Sequence, residues 1–348
     1  MVSIFNQLLP KYFSNKEKKT VVMPSLIVEG AEDFGIEDDF SVLEKDLKTY
    51  YGNNDLENAF VEKFQNDEKM IEVFNFMATF TNVQKMQLNN YFYSFAPSFQ
   101  GLSENRQKKQ LQRVLDQLIK NRFILKSYVP GPSERKIPSY SLSQYGFQLA
   151  IHMRTKLKLD SYVRNPSIIE YYSSRSTIVK KQWVNVDVYL AALTLKNIVG
   201  YKNRFVKVQE EGKNPLFIKE SQAVLSIMMK NEKVCNLITY TVLPEQGLKY
   251  IGIVAEQWNI IGQDYTDRPI PGLGGDLNFL AIIVYNLDEA KRVAQSINET
   301  LPASPVFIIL ENIQKESVLD GFVFWEDGEF LSFSRFMGLE SKSADGVA

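Results

Sequence analysis

The sequence predicts an α+β protein with two folded parts joined by a polar stretch, and three observations carry that prediction. Between residues 67 and 158, apolar side chains recur at spacings of three and four in successive stretches. Two β-rich runs with a proline–glycine turn between them follow the last of these. From residue 184 to 336, β-rich runs alternate with helical pattern, and the runs 279–285 and 305–310 are continuously apolar, as strands covered on both faces are. Between the two parts, 159–183 has little periodicity and mixes Tyr162, Tyr171 and Tyr172 with serines and the cations Arg164, Arg175, Lys180 and Lys181, which reads as a linker.

The first part is centred on the segment from Leu102 to Ile124. Leu111, Val114, Leu115, Leu118, Ile119 and Phe123 share one helical face, and Ser103 stands where an N-cap would, with a hydroxyl able to accept from first-turn amides. At about 100° per residue, Arg106, Lys109, Arg113 and Lys120 fall together on the opposite side, where only Asp116 intrudes. Upstream, 69–80 and 83–95 read as two further amphipathic helices. Downstream, 123–128 reads as a strand, Pro130-Gly131-Pro132-Ser133 as a turn, 139–143 as the return strand, and Gly146 precedes another helix. Three helices and a hairpin with Arg135 and Lys136 near its tip are the parts of a winged helix-turn-helix. A helix with an apolar floor and a cationic outer face suits contact with phosphates. The candidate DNA-binding residues are Arg106, Lys108, Lys109, Arg113, Lys120, Arg122, Arg135 and Lys136. Arg106 and Arg113 are the candidates for guanine edges, because a guanidinium can pair two acceptors at once.

Composition narrows the function classes. A length of 348 residues leaves room for two domains, and a net charge of −1 means that any affinity for a polyanion must come from a local patch. Such a patch exists: residues 105–136 hold nine Lys and Arg against only Asp116 and Glu134. A single cysteine, Cys235, excludes an intramolecular disulfide and a multi-cysteine zinc site, and a single histidine, His152, excludes a histidine cluster and reads as structural. No apolar run is long enough to cross a bilayer and none at the start reads as a signal peptide, so the expectation is a cytoplasmic protein with no membrane partner. Residues 1–60 read as an acidic, partly disordered leader, since 28–46 hold eight acids and one lysine, and 337–348 read as a disordered tail.

In the second part the expected order is a helix at 186–199, a strand at 205–208, a hairpin of 223–229 and 234–243, a helix with strand character at 248–261, and a loop at 267–276. The strand 279–285, a helix at 288–301 and the strand 305–310 come next. A strand at 321–325 then turns at Asp327-Gly328 into a last one. Helix, three strands, helix, strand is the order of restriction-endonuclease-like domains. Their chemistry needs carboxylates from neighbouring strands to hold Mg²⁺ and a lysine to help form hydroxide. The strand 234–241 offers no acid and no lysine, and Asp264, Asp267 and Asp276 lie among prolines and glycines. The expectation is therefore a nuclease-like layer without catalytic residues, metal or cofactor. Gly272-Leu273-Gly274-Gly275-Asp276 lacks the lysine and hydroxyl of a phosphate loop and precedes a strand, so it reads as a connection.

The run from Arg106 to Ile119, the wing, and Tyr140-Ser141-Leu142-Ser143-Gln144-Tyr145-Gly146 resemble the winged helix of the replication-relaxation family. The stretch from Ile282 to Arg292 resembles the strand-to-helix step of that family's second domain. The resemblance implies a DNA-binding protein of plasmids or conjugative elements, acting in replication, transfer or their regulation. Its implied partners are double-stranded DNA, a second copy of the chain, and replication or transfer proteins. Two other classes stand beside it: a metal-dependent DNA-nicking enzyme, and a winged helix that docks an acidic protein.

Overall fold

The computed structural model describes residues 37–38, 50–64, 66–80, 82–130, 136–156, 176–202, 206–208, 216–218, 223–243, 248–271, 273–297, 301, 304–326 and 328–337. The described chain is a mixed α and β protein that divides into two compact units, with the boundary between Val186 and Asp187. Most of the expected leader (1–60) and linker (159–183), the hairpin turn at 131–135, and the tail beyond residue 337 lie outside the described residues.

The first unit contains β1 (Glu37–Asp38), α1 (Asn53–Phe64), α2 (Glu68–Thr79), β2 (Val83–Gln84), α3 (Lys85–Ser94), α4 (Glu104–Lys120), β3 (Ile124–Pro130), β4 (Lys136–Leu142) and α5 (Gln144–His152). Its sheet has the order β1-β3-β4-β2, antiparallel throughout. Phe123 is the hub of the core: its ring lies 5.8 Å from that of Tyr50, 5.5 Å from Phe60, 6.2 Å from Phe64 and 6.3 Å from Phe74. Aromatic rings that meet edge-on, as three of these do, add to the area they bury. The α2 helix begins at Asp67, whose carboxylate accepts from the Met70 amide at 3.2 Å.

Three expectations need correction in this unit. The fold begins well before residue 67, because Leu56, Phe60 and Phe64, spaced by four, are buried on α1. The expected helix 83–95 starts as a strand: Val83 and Gln84 pair with Tyr140 and Ser139, and the helix follows only from Lys85. The expected linker is helical from Ser176, within α6 (Ser176–Ala192). Residues 181–195 are buried without exception, Lys181, Gln182, Asn185 and Asp187 among them, so from residue 181 on the helix has no polar face to betray its period. Trp183 anchors its first half within the first unit, donating its indole N–H to Asn82 Oδ1 at 3.1 Å, while its carbonyl accepts from Gln87 Nε2 at 2.8 Å.

The second unit is built on a seven-stranded mixed sheet. The expected helix 186–199 ends at Ala192, and Val199 belongs instead to β5 (Ile198–Lys202), drawn into the sheet by pairing with β8 (Ala223–Met228). A small hairpin of β6 (Val206–Val208) and β7 (Leu216–Ile218) intervenes. The β8 strand and β9 (Val234–Thr241) form the expected hairpin. Then α7 (Leu248–Tyr265) leads to β10 (Leu277–Val284), which runs parallel to β9 and to β11 (Val306–Ile309), with α8 (Leu287–Ile297) between. A short α9 (Leu310–Lys315) precedes the antiparallel pair β12 (Phe322–Glu326) and β13 (Glu329–Ser332), and α10 (Phe333–Met337) ends the described chain. The helix-or-strand ambiguity at 248–261 resolves as helix: Ile251, Val254, Ala255, Trp258, Ile261 and Tyr265 form one buried face. That face packs with Ile238 and Tyr240 of β9, Leu280 and Ile282 of β10, and Val293 of α8.

Candidate nucleic-acid interface

The α4 helix is held in place by its apolar floor and by both ends. Leu111, Val114, Leu115 and Leu118 are buried, and the buried Gln107 donates from Nε2 to the Phe99 carbonyl at 3.0 Å. Ser103 occupies the N-cap with extended backbone, but its hydroxyl accepts no capping bond, contrary to expectation. The carboxyl end closes with two crossed bonds, Arg122 N–H to the Ile119 carbonyl at 2.8 Å and Phe123 N–H to the Leu118 carbonyl at 2.9 Å. This is the Schellman arrangement, whose pivotal residue adopts left-handed backbone and is usually glycine. Here it is Arg122, at φ 58°. Asn121 just before it is clamped from α1's side: Tyr50 Oη donates to its carbonyl at 3.1 Å and Lys63 Nζ to its Oδ1 at 2.8 Å.

The outer face sorts the candidate residues. Arg106, Lys109, Arg113 and Lys120 are exposed, and they span about 60° of arc at 100° per residue, opposite the buried stripe. None of the four has a carboxylate partner among the described residues. Lys108 stands apart from them around the helix and pairs with Glu104 at 2.6 Å, so its charge is locally compensated. Arg122 lies past the helix end, its guanidinium 5.0 Å from the centre of the Tyr145 ring. Arg135 is outside the described residues. Lys136 opens β4 opposite Pro130 of β3, and its side chain lies outside the description.

One cation of this surface escaped the sequence reading. Lys85, the first residue of α3, donates from Nζ to Gln112 Oε1 at 2.9 Å and lies 5.8 Å from the centre of the Tyr140 ring. Gln112 in turn donates from Nε2 to Asp116 Oδ1 at 2.7 Å. Burial lowers the Lys85 pKa to about 8, with Lys126 pushing the same way and Asp116 opposing. A helix drawn from residue 83 gives Lys85 no particular direction; the strand break at Gln84 is what turns it toward α4.

The remaining singled-out residues have structural partners. His152, at the end of α5, meets Glu57 of α1 through Nε2 at 2.6 Å, and Lys156 pairs with the same carboxylate. Those two bonds, Lys156 first and then His152, hold the Glu57 pKa below its ordinary value. Cys235 is buried in β9, and burial pushes its thiol up to about 12, the opposite of what a nucleophile needs. Asp264 pairs with Arg268 at 3.7 Å, and Asp276 Oδ2 accepts from the Val234 amide at 2.7 Å. Among the described residues no three His, Cys, Asp or Glu side chains stand close enough to hold a metal ion.

The glycine-rich loop is pinned to the sheet by an asparagine ladder. Buried Asn236 donates to the Gly274 carbonyl at 2.7 Å and to Asn278 Oδ1 at 3.0 Å, and accepts from Ser226 at 2.7 Å. Asn278 in turn donates to the carbonyls of Tyr265 at 2.7 Å and Arg268 at 2.8 Å. Gly275, at φ 83°, leaves no room for a Cβ, which would meet Asn236 Nδ2 at 2.4 Å. Gly275 thus serves close backbone approach, while Gly274 serves left-handed backbone at φ 78°. No family model, curated protein or solved structure matches the chain.

Proposed function

We propose that the first unit is a winged helix that binds double-stranded DNA, with α4 entering the major groove and the β3–β4 hairpin beside it as the wing. The observation that carries this reading is the stripe of Arg106, Lys109, Arg113 and Lys120, exposed and without carboxylate partners among the described residues, on a helix fixed at its far end. The order α2, β2, α3, α4, β3, β4, with β4 between β3 and β2 in the sheet, supports it, since three helices followed by a hairpin are the parts of a winged helix. Lysines 109 and 120 supply phosphate contacts that position the protein, and the arginines 106 and 113 reach guanine edges. Lys85 and Arg122 extend the cationic surface, Arg135 and Lys136 are the wing's proposed contacts on the strength of the sequence, and Lys108 contributes least because of Glu104. Binding of a duplex of random sequence, followed across salt concentrations, tests the reading. Alanine at all four stripe positions abolishes the salt-dependent binding if it is right, and leaves it unchanged if it is wrong.

The resemblance to the replication-relaxation family extends this to a role in replication, transfer or their regulation on a plasmid or conjugative element. A footprint across the DNA that surrounds the protein's own gene tests that part. The second unit is assigned a nuclease-like layer that acts by docking a second copy of the chain or replication and transfer proteins, and not by cleaving DNA. Of the acids singled out from the sequence, Asp276 is engaged on the Val234 amide and Asp264 on Arg268. Nicking of supercoiled plasmid with Mg²⁺ or Mn²⁺, lost on changing Asp264 or Asp276, would overturn that assignment.

A further inference from the structure

Asp116 is an anomaly on a helix face otherwise suited to a polyanion. It follows Arg113 by three residues and precedes Lys120 by four, spacings at which helical side chains meet. Yet its carboxylate pairs with neither, and its Oδ1 accepts from Gln112 Nε2 at 2.7 Å. The Gln112 carbonyl oxygen takes the Lys85 ammonium at 2.9 Å. This chain runs one way only: with the amide flipped, its NH₂ would face an ammonium and its oxygen a carboxylate. Lys85 lies at the start of α3 and against Tyr140 of β4, so the chain ties Asp116 to two elements besides its own helix. The second carboxylate oxygen, Oδ2, has no partner among the described residues. A carboxylate near phosphates is repelled, and what the major groove offers it is an exocyclic amino group.

We infer that Asp116, oriented by Gln112 and Lys85, is a base-reading residue that accepts from the N4 amino group of a cytosine in the major groove. This rests on the DNA-binding reading of α4 given above. The role is specificity: Asp116 weakens binding to DNA in general and favours the sites that place cytosine beneath it, next to the bases read by the arginines.

Selection of bound duplexes from a random library by wild type, Asp116→Asn, Asp116→Ala and Gln112→Ala tests it. Wild type should fix cytosine at one position with a preference of about tenfold or more. Asp116→Ala should lose that preference alone and bind random duplex more tightly. Asp116→Asn should move the position toward adenine, whose N6 and N7 a carboxamide can pair. Gln112→Ala should broaden the same position. Base frequencies that are unchanged in the Asp116 variants, or relaxed equally everywhere, would overturn the inference while leaving DNA binding intact. Failure of wild type to retain any duplex at low salt would instead remove the DNA-binding reading itself, and this inference with it.

Discussion

Neutralising Lys109 and Lys120 together should change how duplex binding responds to salt, and neutralising Lys108 should not. The magnitude follows from charge pairing on α4. On a duplex of random sequence, where no cognate guanine is in place, the two arginines also lie against phosphate; each of the four cations then adds about 0.9 to the slope of log K against log salt, and the stripe gives a slope of about −3.6. From 50 to 200 mM salt that slope lowers affinity about 150-fold. The double variant Lys109→Gln/Lys120→Gln keeps two of the four and should fall only about 12-fold over the same range. Lys108 sits off the stripe and is held by Glu104 at 2.6 Å, so Lys108→Gln should leave the slope within about 0.3 of wild type. Fluorescence anisotropy of a labelled random duplex at four or more salt concentrations measures all three. A double variant with the wild-type slope, or a Lys108 variant that loses as much as the double, would refute the assignment of the stripe to phosphate.

Three further outcomes are expected. Arg122 occupies a left-handed position, so Arg122→Gly should be more stable than Arg122→Ala by about 1 kcal/mol in chemical denaturation, while both lose the same increment of duplex affinity. A Cβ on Gly146 would lie 1.9 Å from the Phe123 carbonyl oxygen, so Gly146→Ala should destabilise the first unit by about 3 kcal/mol, read from the shift of its unfolding midpoint. Lys85, with its pKa lowered by burial from 10.5 to about 8, loses its charge in the folded protein as pH rises through that value, while the unfolded chain keeps it. Stability should therefore rise between about pH 8 and 10.5, because the unfolded state binds more protons there. Duplex affinity should fall over the same rise, and Lys85→Arg, which stays charged, should flatten that fall in anisotropy titrations from pH 6.5 to 9.5.

The elements that could be read from sequence are those whose signal is local. The floor of α4 shows in the spacing of Leu111, Val114, Leu115 and Leu118, and the β8–β9 hairpin in two β-rich runs either side of Lys230-Asn231-Glu232-Lys233. The β12–β13 turn shows in Asp327-Gly328, with Gly328 at φ 85°. Elements decided by distant partners could not be read. Val83 and Gln84 become a strand only because β4 returns beside them, and that displaces the start of α3 to Lys85. The first turns of α6 read as polar linker because their polar residues Lys181 and Gln182 are buried against the fold instead of facing water. Of the candidate site, the stripe of four cations was legible from helical period alone. Lys85 was not, since its direction depends on a strand break, whereas the i,i+4 spacing of Glu104 and Lys108 carries the compensation of Lys108 in the sequence itself.

The joint between α4 and β3 has a consequence for how such a protein can change over generations. Three successive residues there each meet a different demand. Asn121 is gripped by Tyr50 and Lys63, Arg122 makes the left-handed pivot, and Phe123 fills the aromatic core. The Phe123 carbonyl also accepts from Ser143 at 3.0 Å, beside the bare backbone of Gly146. Adding or removing one residue would swing α4 by about 100° about its axis relative to the hairpin and would put the wrong side chain into all three places at once. Loop length is thus closed as a route to new binding preferences at this end of the helix. Substitution of exposed side chains along α4, where no packing demand applies, remains open.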